Sequence, residues 1–391
     1  MILGRFALES FTIIGTFIAF YLLAKNGRFY LRELNENRYL YVALAFLIPI
    51  GIALIDSLDP KMSLSVFGRM VRYLFIGVLA VAMAQYEDNY RKLELISFIA
   101  LMLVCLDAIM QWLTGYHIHG YNPVVGNRVM GVFYDKAHLS YFLGTFAPIV
   151  FFFLYQKIED RITALRIIGV FIAILLLVTG VFIGGARAGM IALFSSISLF
   201  VIFLFFKGKI KYKLRFLGIL LIIMFLTIIL VSQLDIVQSR FTTSIAALGT
   251  EDFLDRFTSA RTQLWYVGFN EVPNYWLNGV GPRGFDKLFT NYPDIHSHFS
   301  GYVWQPHLHG LEVLIETGVI GFIPYLLVLL YLFIRMFTAR AGNVWLMMGF
   351  VAMMPINSHM GLYEGYWMTL IWIPIMIGLA QAYQADKSVR H

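Results

Sequence analysis

A single cysteine, Cys105, stands in a chain of 391 residues. One thiol allows no disulfide within the chain and no thiolate metal cluster, and its place in the middle of an apolar run reads as a small apolar filler. Charge is scarce too. Asp, Glu, Lys and Arg make up 14% of the residues, where soluble domains carry about 25%. With 59% hydrophobic residues, this excludes the pair of soluble domains that the length would otherwise suggest. No repeat of roughly 20–50 residues is visible, and no stretch is of low complexity. The sequence contains no HExxH-type metal motif. Its first apolar run has no clear small-x-small cleavage site, so no removable signal peptide is expected.

What the chain has instead is long, continuous apolar sequence. A hydrocarbon core about 30 Å thick takes about 20 apolar residues in a helix. Runs close to that length recur at 6–24, 39–55, 73–85, 93–113, 138–155, 167–183, 188–206, 216–231, 311–334, 344–356 and 368–383. Those at 73–85 and 344–356 are short for a crossing. The runs are continuous rather than alternating, which argues for helices over a barrel. The expectation is an all-α polytopic membrane protein with about 11–12 transmembrane helices. Its expected divisions are helices over 1–231, a large loop subdomain over 232–310 and C-terminal helices over 311–391. Eleven crossings leave the N-terminus outside; an extra re-entrant segment near 57–72 would reverse it.

Orientation follows from the basic residues. Alternate loops carry Lys25/Arg28/Arg32/Arg38, Arg91/Lys92, Lys157/Arg161/Arg166, Lys207/Lys209/Lys211/Lys213/Arg215, Arg335/Arg340 and Lys387/Arg390, which is 18 of the 30 Lys and Arg. These loops are therefore expected to face the cytoplasm. The net charge of +7 is largely this bias, and no nucleic-acid partner is implied. The remaining loops, at 114–137, 184–187, 232–310 and 360–367, fall on the outer side. Turn signals within 232–310 (Pro273-Asn274, Gly281-Pro282, Tyr292-Pro293-Asp294) predict short helices near the membrane surface.

Eight of the nine histidines sit on or beside that outer side: His117, His119, His138, His296, His298, His307, His309 and His359. Arg128, Arg187, Arg240, Arg256, Arg261 and Arg283 join them against the charge bias. A guanidinium is a planar donor array suited to phosphate or carboxylate. Arg187, in Gly-Gly-Ala-Arg-Ala-Gly between two apolar runs, either snorkels to lipid headgroups or points inward to hold an anion; its glycines would let backbone and ligand approach closely. Arg261 reads as the start of an interfacial helix anchored by Trp265, and equally as a surface arginine. Arg283 lies in a tight turn, which alone accounts for the glycines around it. His307 and His309 precede an apolar helix, where a neutral imidazole can serve as a general base for a hydroxyl. The three His-x-His pairs also raise a metal reading, with Asp286, Asp294 or Glu312 as oxygen ligands, but spacing assembles no such site. Asp107, beside Gln111 within an apolar run, is expected to face the bundle interior.

These motifs come in a definite order. Gly126-Asn127-Arg128-Val129-Met130-Gly131-Val132-Phe133 is followed by Gly184-Gly185-Ala186-Arg187-Ala188. Ala260-Arg261-Thr262-Gln263-Leu264-Trp265 and Gly279-Val280-Gly281 come next, and the last is the stretch from Pro306-His307-Leu308-His309 to Gly321. In this order and spacing the chain, from about residue 120 to 340, resembles the O-antigen ligase and O-antigen polymerase superfamily of bacterial envelope glycosyltransferases. The resemblance implies a C-type membrane glycosyltransferase fold in the bacterial inner membrane, acting on the periplasmic side without metal or cofactor. It implies a glycan on undecaprenyl diphosphate as donor and a lipid A-core sugar hydroxyl as acceptor, in lipopolysaccharide biosynthesis. Arg187 and Arg261 match the arginines expected to hold the diphosphate; Arg128 and Arg283, read from their outer-side position, are further candidate substrate contacts. His307 matches the histidine of a Pro-His-Asn-x-x-x-Leu pattern. Leu308 stands where that pattern has asparagine, so either His307 or His309 is the expected base.

The residues agree with that chemistry on their own terms. A departing diphosphate gathers negative charge that fixed arginines stabilise, and histidine accepts a proton near neutral pH. The motifs are shared by ligase and polymerase, so both stay open. A transporter of lipid-linked glycan would favour midplane polar residues and matching halves; here the informative residues crowd one face and no halves match.

Overall fold

In a computed structural model of the chain, each of the eleven apolar runs falls on a helix. The structure describes residues 2–121, 128–133, 137–160, 163–207, 210–233, 238, 253–258, 260–296, 299 and 303–389. Among these, seven helices are long and apolar enough to cross a membrane, and three shorter apolar helices accompany them. The chain is an all-α, multi-pass membrane protein. It divides into two compact units, Glu87–Ala246 and Ile2–Tyr86 with Ala247–His391. That division leaves the first three helices with the C-terminal part of the chain, a grouping the helix order along the sequence does not suggest.

The unit from Glu87 contains α4 (Glu87–Thr114), α5 (Leu139–Asp160), α6 (Ala164–Gly184), α7 (Arg187–Lys207) and α8 (Ile210–Ser232). A two-stranded hairpin, Tyr116–His117 with Gly120–Tyr121, follows α4. α5 is the buried centre, and small residues let its neighbours approach it closely. A Cβ on Gly144 would lie 2.3 Å from the Gly189 carbonyl, and one on Gly189 2.1 Å from Ser140 Oγ. Ser196 Oγ donates to the Gly144 carbonyl at 2.8 Å across the same seam. Deeper in the unit, Phe151, Phe152, Tyr155, Phe200, Phe203 and Phe216 interlock.

The other unit starts with α1 (Ile2–Glu36, kinked at Asn26), α2 (Tyr39–Ala53) and α3 (Pro60–Ala84). Hydropathy finds only the second half of α3, because Arg69 and Arg72 interrupt the first. Asp59 caps this helix, accepting from the Met62 N–H at 3.1 Å, with Pro60 in the first turn. Residues 60–72 are thus part of α3 and not a separate re-entrant element. Four short helices, α9 (Phe253–Thr258), α10 (Arg261–Glu271), α11 (Phe285–Phe289) and α12 (Pro293–His296), occupy the described part of the large loop. They enclose a core of Leu264, Val267, Val280, Phe285, Leu288, Phe289, Val303 and Ile315. α13 (His309–Thr338), α14 (Asn343–Met353) and α15 (Gly365–Lys387) complete the unit.

α13 is broken at Gly318, whose φ is +59°. A Cβ there would sit 2.2 Å from the Leu277 carbonyl, so only glycine admits the incoming loop. The backbone groups freed by the break are taken up by that loop. Val319 and Ile320 N–H groups bond to the Trp276 and Leu277 carbonyls, and Val280 and Gly281 N–H groups bond to those of Ile315 and Glu316. At the far end of the same unit, buried Glu33 accepts from Lys387 and Gln384, each at 2.8 Å, and Arg335 pairs with Asp386.

Candidate active site

The break in α13 decides where Arg283 goes. The loop inserted there turns at Gly281-Pro282-Arg283, and Arg283 takes a left-handed backbone with φ +68°. Its N–H donates to Glu316 Oε2 at 2.8 Å. Ser63 Oγ on α3 donates to the Pro282 carbonyl at 2.8 Å, holding the turn from below. The Arg283 side chain is 9% exposed and lies over the Trp304 ring at 5.3 Å, while its Nη1 is buried with no partner. Arg69 is near enough for its charge to act on Arg283, and its Nε is buried and unpartnered as well.

A second loop, 354–364, packs over the start of α13. The Asn357 and Pro355 carbonyls accept from the His309 and Gly310 N–H groups. Glu312, fully buried, accepts from the Leu362 N–H at 2.9 Å and the Tyr363 N–H at 3.4 Å. Two carboxylates one turn apart on α13 therefore hold two loops, Glu316 the one with Arg283 and Glu312 the one with Ser358 and His359. Ser358 Oγ in turn accepts from Arg261 Nη1 at 3.0 Å. Arg261 opens α10 immediately after Ala260, which is also left-handed, with φ +63°.

His307 reaches into this arrangement on a third left-handed residue, with φ +53°. Its Nδ1 meets Gln305 Nε2 at 3.1 Å. Burial and then the Arg261 charge push the imidazole down to about 3, against the upward pull of the Ser358 and His359 carbonyls. His307 is therefore neutral at physiological pH. His309 is different. It is 1% exposed, and its Nε2 meets the Met360 carbonyl at 2.6 Å. Sealed in this way, it braces the loop; His307 is partly buried and the less enclosed of the two imidazoles.

Two further sequence candidates lie in the unit that starts at Glu87. Arg187 is the first residue of α7, and Arg128 is near enough for its charge to act on it. The Val129 N–H bonds to the Ile183 carbonyl at 3.1 Å, which ties the Arg128 segment to the end of α6. The glycines around Arg187 serve helix packing: Gly184 and Gly189 both abut Ser140, whose Oγ donates to the Ala186 carbonyl. Asp107 and Gln111 secure the loop after α4. Asp107 accepts from the Ile118 N–H at 2.6 Å, and Gln111 accepts from those of Met130 and Gly131.

The sequence candidates thus fall into two groups, Arg128 with Arg187, and Arg261 with Arg283, His307 and His309. Arg240, His298 and the Gly126-Asn127 motif lie outside the described residues, as do the side chains of Arg256 and His296. Among the described residues no three of His, Cys, Asp and Glu gather as metal ligands; Asp286 and Glu312 are occupied with backbone N–H groups. Gln305, Arg69, Ser358 and the bracing role of Glu312 and Glu316 escape sequence reasoning. Only Gln305 had a signal, its place two residues before His307.

The fold and this cluster define a multi-pass membrane protein with a buried arginine–histidine site. Residues 171–326 match the family model described as O-antigen ligase, and the resemblance to that superfamily is thereby shown. The match contains Arg187, Arg261, Arg283, His307 and both glutamates, and leaves Arg128 outside. No curated protein gives a significant match to the chain.

Proposed function

We propose that the chain is an O-antigen ligase, moving a glycan from undecaprenyl diphosphate to a sugar hydroxyl of lipid A-core on the periplasmic side of the bacterial inner membrane. The observation that carries this reading is the site around Arg283, inside the matched residues. It combines an orphaned buried guanidinium nitrogen, Arg261 tethered to Ser358 and a neutral, partly buried His307. In the reaction, the acceptor oxygen bonds to the anomeric carbon as the bond to the diphosphate breaks. The leaving diphosphate keeps the electron pair, and the hydroxyl gives up its proton. Arg187, Arg261 and Arg283, with Arg128, are assigned to the anionic donor, because fixed guanidinium groups stabilise charge that grows during bond breaking. Of the two histidines, the less buried His307 is assigned to the substrate, and His309 to bracing. One direct displacement inverts the anomeric centre, and the residues assigned need no bound metal.

The test is transfer in vitro from undecaprenyl-diphosphate glycan. Arg187→Ala, Arg261→Ala and His307→Ala are each expected to slow it by about a hundredfold or more, and undiminished transfer in all three would sink the assignment. Polymerase activity, with a second lipid-linked unit as acceptor, is distinguished by gene loss. Loss of a ligase leaves bare core with lipid-linked polymer accumulating, whereas loss of a polymerase leaves single-repeat lipopolysaccharide.

A further inference from the structure

We infer that Gln305 is a positioning residue that holds His307 in the tautomer with its proton on Nε2, so that this imidazole meets substrate as a hydrogen-bond donor and not as a base. The geometry stands independently of the proposed transferase activity; the catalytic consequence rests on it.

Gln305 is 5% exposed. Its amide nitrogen sits 3.1 Å from His307 Nδ1 and 3.5 Å from the His359 carbonyl. An amide NH₂ has two hydrogens and accepts nothing, so it donates to both neighbours and His307 Nδ1 must be the acceptor. The amide oxygen points the other way, into a small space beside Gly361. A Cβ built on Gly361 would be 2.0 Å from that oxygen and 3.1 Å from Arg283 Nη1. Both atoms are buried, and neither has a partner.

The amide's orientation is fixed by what surrounds each end. As it lies, its oxygen faces a guanidinium and its nitrogen a carbonyl. Reversed, NH₂ would face the guanidinium and oxygen would face the His359 carbonyl, which is unfavourable at both ends. A neutral imidazole accepting at Nδ1 carries its hydrogen on Nε2. With Nδ1 accepting from Gln305, the hydrogen on Nε2 is the one the Ser358 and His359 carbonyls draw on, and a ligand oxygen competes with them for it.

An N–H suits an oxygen that gains negative charge, as the diphosphate does on leaving. The bond from anomeric carbon to diphosphate breaks with its electrons on the diphosphate, and the acceptor oxygen takes its place. The hydroxyl proton passes to a non-bridging diphosphate oxygen, not to His307.

The decisive experiment is nitrogen NMR of the full chain in lipid nanodiscs with ¹⁵N-labelled histidine and no substrate, His307 being assigned by difference from His307→Gln. The expected result is a protonated Nε2 and a bare Nδ1 throughout pH 5–8. A proton on Nδ1 in the wild type overturns the inference. Gln305→Glu, whose carboxylate accepts from Nδ1–H, is expected to move the proton to Nδ1, and if this variant does not fold the wild-type spectrum still decides. In transfer assays His307→Gln, which keeps a neutral N–H, is expected to stay within about tenfold of wild type while His307→Ala loses about a hundredfold or more. Equal losses overturn the donor role. Absence of transfer by the wild type would sink the proposed activity alone, since the spectrum is read without it.

Discussion

Left-handed backbone at a non-glycine residue costs about 1–3 kcal/mol and persists only where its surroundings enforce it. The described residues with such backbone are Arg38, Ala260, Arg283 and His307. Arg283 and His307 are site residues themselves, and Ala260 aims Arg261. Motif order made these residues legible in the sequence, because each sits beside glycine, proline or a helix start. The state of His307 was not legible. It depends on burial and on Arg261, which is 46 residues away along the chain. The folded imidazole takes a proton only below about 3, and the unfolded one below its ordinary value of 6.5. Between those values the unfolded chain binds more protons, so His307 contributes stability fully above pH 6.5 and loses it as pH falls. Unfolding midpoints in detergent should therefore drop more steeply for wild type than for His307→Gln between pH 6.5 and 4.5. The difference is at most about 1.4 kcal/mol per pH unit, and parallel curves would refute a depressed His307. Glu312→Ala tests the bracing separately. It strands two buried N–H groups, at about 1–3 kcal/mol each, and should lower the thermal midpoint more than Glu312→Gln, which keeps one acceptor.

Among the elements, long apolar helices were easily read because continuous hydrophobicity is their only requirement in lipid. Two features defeated that reading. The first half of α3 contains Arg69 and Arg72, so hydropathy cut the helix short. The break in α13 lies inside a largely apolar run, just after Glu316 and Thr317, where Gly318 looks like any helical glycine; what makes it a break is the Trp276–Gly281 segment arriving from elsewhere. Glycine in these helices has a measurable meaning. Gly189→Ala drives a methyl into Ser140, within 2.4 Å of backbone, and should disrupt the α5–α7 seam, lowering the melting temperature by several degrees or abolishing folding. Gly169→Ala, on an exposed face of α6 with nothing within 4 Å, should be neutral to slightly stabilising. Comparable losses in both variants would mean that the seam does not carry the packing.

For the molecule as a whole, the basic residues and the site make one joint statement about sidedness. In the unit that includes α13 and α15, Arg335 and Lys387 cluster at the end where α13 and α15 finish, while Arg283, His307 and Ser358 lie where those helices begin. α15 has 23 residues and spans about 35 Å at 1.5 Å per residue, enough to put the two clusters on opposite sides of a bilayer. If positive charge marks the cytoplasm, the site opens outside. The native thiol, Cys105, is buried, so Cys105→Ala gives a clean background for single exposed cysteines. Asn291→Cys, in the large loop, is expected to react with a membrane-impermeant maleimide in intact spheroplasts. Arg340→Cys, in the loop after α13, should react only once the membrane is opened. The reverse pattern would put the site in the cytoplasm, where a periplasmic transfer reaction has no access to it, and would overturn the proposed function whatever the site residues do.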